Sequence, residues 1–138
     1  MIKQELINSI SSMPDFSLYL IMAFTLSLAF IAIYVRVTPY KEMDLIRQGN
    51  SAAALSLGGA ILGFVLPLSA VVRHSAGIVD LVAWSVVAAL VQMAAYAAVR
   101  IMVKELARGI EANCIGHGLF LGIASIASGI LTAACITP

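Results

Sequence analysis

The sequence predicts an all-α membrane protein: four transmembrane helices formed by two parallel helical-hairpin repeats. Three observations predict it. Apolar residues are in an excess that a short chain cannot hide from water, four long stretches carry no charge, and one layout returns after 63 residues. The 138 residues are 62% hydrophobic and 11% charged, with a mean hydropathy of +1.03. Soluble domains are roughly 45–50% apolar and about 25% charged. A small fold buries too little of its surface to absorb that difference, so lipid is the fitting solvent.

Residues 16–35, 51–72, 81–99 and 114–138 contain no Asp, Glu, Lys or Arg, and number 20, 22, 19 and 25. A hydrocarbon core about 30 Å thick needs roughly 20 helical residues. Barrel strands alternate in polarity and cross in about 9–11 residues. The uniform runs therefore read as helices, which satisfy their backbone groups without water. No cleaved signal peptide is expected, because Glu5 and Asp15 precede the first run and Arg36 and Thr38-Pro39 follow it. Residues 1–15 read as a short N-terminal segment and 16–138 as one transmembrane domain. Repeat one covers about 16–72 and repeat two about 80–138.

A short polar residue precedes each run: Asp15, Asn50, Asp80 and Asn113. Such side chains accept the orphan N–H groups of a first helical turn, and Asp also suits the positive end of the helix dipole. Arg36, Arg73 and Arg100 close three of the runs at the carbonyl end. Arg36, Lys41, Arg47, Arg100, Lys104 and Arg108 fall on one side of the membrane, and Lys3 and Arg73 on the other. The positive-inside bias puts the six in the cytoplasm and both termini outside.

The repeat rests on Lys41-Glu42 matching Lys104-Glu105, Asn50 matching Asn113, and Gly59 matching Gly122. Each half enters the membrane, makes a charged connection, caps with Asn and leaves on a helix rich in small residues. Tyr40, Met43 and Ile46 recur at helical spacing, so the first connection predicts an interfacial turn ended by Gly49.

Helices in lipid gain by close packing, which favours small residues on contact faces. Gly118, Gly122 and Gly129 line one stripe with Ser125 and Thr132, while Gly59 and Gly63 form a GxxxG extended by Ala52 and Ser56. The stripes predict backbone-close contact between the second and fourth spans or with neighbouring helices. Pro67 lacks an N–H, so it frees the Gly63 carbonyl and bends its helix.

Gln92 and His117 are the notable polar residues inside the runs, at depths that allow them to meet. With Asn50 and Asn113 they form the candidate intramembrane polar site. Such groups glue helices together, and a histidine also titrates near neutrality. The runs hold no acid, which argues against the usual intramembrane carboxylate site. His74 reads as exposed in the outer loop. Cys114 and Cys135 are 21 residues apart, roughly 31 Å along a helix and beyond disulfide reach; they read as buried apolar cysteines. No Cys/His cluster has metal spacing, and no phosphate loop or Ser-His-Asp set is visible. The expectation is a protein that is not an enzyme and takes no metal or other cofactor.

The stretches "TPYKEMDLIRQGNSAAALSLGGAILGFVLPLS", "DLVAWSVVAALVQ" and "AACITP", with Arg100, resemble the YjfL-like family, domain of unknown function 350. The resemblance covers about residues 20–138. It implies a multi-pass protein of the bacterial inner membrane, with a link to envelope homeostasis and no established activity. The expected partners are the lipid bilayer and a second copy or another membrane or cytoplasmic protein, not nucleic acid. The favoured role is an oligomeric or partner-binding module; the alternative is a small oligomeric channel or transporter.

Overall fold

The structure is a computed structural model that describes residues 1–136. Among the described residues it forms six helices: α1 (Ile2–Val37), α2 (Glu42–Arg47), α3 (Ser51–His74), α4 (Ile78–Met102), α5 (Leu106–Glu111) and α6 (Ile115–Ile136). α1, α3, α4 and α6 are long and apolar enough to cross a bilayer. The predicted fourth run continues to 138, but Thr137 and Pro138 lie outside the described residues.

α1 corrects the expected N-terminus. The helix starts at Ile2 and runs through Pro14 and Asp15, so Asp15 caps nothing and residues 2–15 belong to the same helix as the first span. At 1.5 Å per residue its 36 residues reach about 54 Å, well past a hydrocarbon core of about 30 Å. Ser11 and Ser12 donate to the Asn8 and Ser9 carbonyls at 2.9 and 2.8 Å in the turn before the proline. α4 also starts earlier than expected. Gly77 occupies the cap position, and Asp80 sits in the first turn, where it accepts from the Ala76 N–H at 3.1 Å.

The two charged connections end their short helices in the same way. After α2, the Asn50 N–H donates to Leu45 and the Gly49 N–H to Ile46. After α5, the Cys114 N–H donates to Gly109 and the Asn113 N–H to Ile110. Both are the paired bonds that close a helix on a left-handed residue. Gly49 supplies that residue with φ 86° and Asn113 with φ 59°, a conformation Asn tolerates better than most side chains. Asn113 therefore takes the place of Gly49, not that of Asn50. The 63-residue match misaligns the connections by one position, and Asn113 does not cap its own helix.

The core is the α3–α6 pair. Contacts climb both helices together, from Ala52 against Gly118, through Gly59 against Gly122, to Gly63 against Gly129, so the two run side by side in the same direction. A Cβ on Gly59, Gly118 or Gly129 would overlap the opposing backbone, and one on Gly122 would lie 2.6 Å from the Leu55 carbonyl oxygen. The predicted stripes thus form one seam whose backbones touch. α4 packs against both partners, and α1 leans on α3 and α4. α1 is anchored near one end, where the Phe30 ring stacks on Phe64 at 4.4 Å and Tyr34 meets Tyr96 edge-on at 5.8 Å.

Candidate functional site

Two polar assemblies lie inside this frame. The first is a clamp across α3, α4 and α6. The Gln92 Nε2 of α4 donates to the Gly63 carbonyl at 2.9 Å and to the Ser125 carbonyl at 3.1 Å. The Gly63 carbonyl is the one that Pro67 frees, four residues on. Gly63 has no side chain to stand in the way; a Cβ there would lie 2.7 Å from Gln92 Oε1. Gln92 is 1% exposed, so proline, glycine and glutamine act as one unit: a broken backbone bond is replaced by a side-chain bond from the next helix.

His117 does not join them. Both Gln92 amide hydrogens go to carbonyls, while His117 packs over Gly109 of α5, whose missing side chain makes room for the ring. Gln92→Leu keeps the bulk and leaves the Gly63 carbonyl orphaned. We expect a loss of about 1–2 kcal/mol, measured as reduced thermal stability in detergent, with helix content unchanged.

Asn50 and Asn113 meet at the end of the bundle that carries α2 and α5. Asn50 Oδ1 caps α3 by accepting from the Ala53 N–H at 2.9 Å, as expected. Its Nδ2 crosses to the Ile110 carbonyl at 2.7 Å. Asn113 Oδ1 returns across the gap and accepts from the Ala52 N–H at 3.0 Å. α3 thus has two caps, one from each connection. Asn50→Ala removes a cap and orphans a carbonyl, at a cost of about 1–2 kcal/mol. Asn113→Gly keeps the left-handed backbone and loses one bond, so thermal melts should show a cost of only about 0.5–1 kcal/mol.

The second assembly was not visible in the sequence. Glu42, the first residue of α2, is 1% exposed. Its Oε1 accepts from the Thr38 hydroxyl, and its Oε2 has no hydrogen-bond partner among the described residues. The buried hydroxyls of Tyr34, Tyr40 and Tyr96 are likewise unpartnered there. These groups come from α1, the 38–41 turn, α2 and α4, and they interact electrostatically with one another. Burial pushes the Glu42 carboxyl up to about 7 from its ordinary 4.5, against the Thr38 bond, which lowers it. Burial and the Glu42 charge also raise the Tyr40 phenol.

Of the remaining expectations, His74 is exposed as read. Cys114 and Cys135 are exposed rather than buried. α2 is the expected helical turn, ended by Gly49.

Residues 6–136 match the family model described as Domain of Unknown Function (DUF350), a reach that begins earlier than the expected residue 20. The chain is 35% identical over 128 residues to the UPF0719 inner membrane protein YjfL of Escherichia coli (strain K12), covering 93% of this chain and 97% of that one. The protein of the same name from Escherichia coli O157:H7 matches equally. No solved structure matches the chain.

Proposed function

The chain belongs to the DUF350 family, and from that premise we propose that it is a non-enzymatic, multi-pass module of the bacterial inner membrane that works by self-assembly, in envelope homeostasis. One observation carries this reading: α1 is too long for the bilayer, and its overhang is apolar on one side. Ile2, Leu6, Ile10 and Met13 recur at i, i+4, i+8 and i+11, each more than half exposed, with Glu5, Asn8 and Ser12 on other faces. A stripe of that spacing is what one helix offers to another. Beyond the hydrocarbon core lipid does not cover it, whereas a second copy in the same orientation brings an identical stripe to the same height.

The alternative reading, an oligomeric channel, has less to draw on. Its candidate lining was Gln92, His117 and the Gly63 carbonyl, and two of these three are engaged with each other inside the core. We also propose that the halves are parallel repeats, with both connections cytoplasmic and both termini outside. The support is the shared way α2 and α5 end and the six-to-two distribution of basic residues.

Native mass spectrometry of the purified protein should show a homo-oligomer. With Cys114 and Cys135 replaced by Ser, a cysteine at Leu6 or Ile10 should crosslink between copies, and Leu6→Asp should yield monomers. A monomer in the unaltered protein, without crosslinks, overturns the assembly reading. Terminal tags accessible only from the cytoplasm overturn the orientation.

A further inference from the structure

We propose that Glu42, with the hydroxyls of Thr38, Tyr34, Tyr40 and Tyr96, forms a binding site for one monovalent alkali cation. The argument starts from unsatisfied atoms. Buried polar groups in folded proteins have partners, and each exception calls for an explanation. Here four exceptions converge: Glu42 Oε2 and the three phenolic oxygens, all on side chains no more than 4% exposed. They face one another closely enough to interact electrostatically, an arrangement that suits an object held between them.

The sign of that object follows from charge. Among the described residues, Glu42 is the one acidic side chain that is buried. The ion pairs of neighbouring charges, Arg47 with Asp44 and Arg108 with Glu105, are exposed and local to their own short helices. From α1 the cluster receives Tyr34, from the turn Tyr40, from α4 Tyr96 and the exposed Arg100, and from α3 the uncharged Ser56 beside Tyr40. Arg100 interacts with Tyr96 at the rim, not with the carboxylate. A buried carboxylate without a cationic partner is costly, so the missing component is positive.

Its valence follows from the donors. All are oxygens, which suits a hard cation. Calcium sites gather several carboxylates, and magnesium demands near-ideal octahedral geometry and keeps water. One carboxylate with neutral hydroxyls balances a single positive charge.

The site ties α1, α2 and α4 together, so an ion there should be read out as stability. The full chain in nanodiscs at pH 8 is melted in about 100 mM N-methylglucamine chloride and in equal potassium or sodium chloride. The expected result is a midpoint about 5 °C higher in at least one alkali salt. Glu42→Gln should abolish the rise, and Asp44→Asn, an exposed acid two residues on, should leave it intact. Equal midpoints in all salts, the outcome if only water or a proton sits among the tyrosines, overturn the proposal, as does a rise that survives in Glu42→Gln. Should Glu42→Gln fail to fold, Tyr40→Phe decides: apparent affinity weakened about tenfold supports the site, and unchanged affinity overturns it. None of these outcomes depends on the oligomeric state.

Discussion

Gly59→Ala should destabilise the protein by about 2–3 kcal/mol, while Gly58→Ala, one residue away, should stabilise it by about 0.5–1 kcal/mol. The two glycines share a helix and a local sequence, so intrinsic propensity treats them alike: alanine is the better helix former at both. What differs is the neighbour. A Cβ at Gly58 meets nothing within 4 Å, whereas one at Gly59 runs into the Gly122 backbone. A main chain, unlike the tip of a side chain, does not rotate aside. To admit a single methyl group α3 and α6 must separate along their seam, and the separation also strains the contacts at Gly118 and Gly129 and the Gln92 bridge. Thermal melts of the two variants in one detergent would check this, and the opposite signs are the diagnostic outcome.

The second large effect is on pH dependence. Glu42 has its carboxyl raised from 4.5 to about 7 by burial. A raised acid favours the folded state while it is protonated in both states. Stability is therefore greatest below about pH 4.5, falls as the unfolded chain ionises and the folded one does not, and levels off above about pH 7. The full span is about 3 kcal/mol. Glu42→Gln removes this dependence, so in buffers free of alkali cations it should exceed the unaltered protein by up to about 3 kcal/mol at pH 8 and match it near pH 4. The difference between the two melting curves across pH isolates this residue from every other carboxylate.

Much of the fold was legible because lipid imposes simple rules. Runs without charge mark spans, and the four appear as α1, α3, α4 and α6. Pro67 announced a free carbonyl, and glycine spacing announced a close seam. Errors arose where a residue had two plausible partners. Asn113 looks like an N-cap, but its left-handed backbone ends the helix before it and its side chain serves a different helix. Asp15 looks like a helix start, but helix α1 runs straight through it. Gln92 and His117 agree in depth along the sequence, while the stronger attraction for Gln92 is the carbonyl left open by Pro67.

Glu42 escaped for a different reason. It sits among Lys41, Asp44 and Arg47, in a stretch whose polarity suggests a solvated turn. Its burial depends on Tyr34 and Tyr96, which lie 8 residues before and 54 residues after it, and which meet only because α1 and α4 share an end of the bundle. Local patterning carries no trace of that meeting. The motif beginning TPYKE holds Thr38, Tyr40 and Glu42 together, yet its polarity reads as a connection instead of a lining.

The double cap on α3 has a consequence for biogenesis. Ala52 and Asn50 find their partners at positions 110–113, some 60 residues further along the chain. At translation rates of 5–20 residues per second, roughly 3–12 seconds separate the emergence of the two. Throughout that interval the nascent first hairpin holds the Ala52 N–H and the Asn50 side-chain amide open, a waiting socket that only the second hairpin can close.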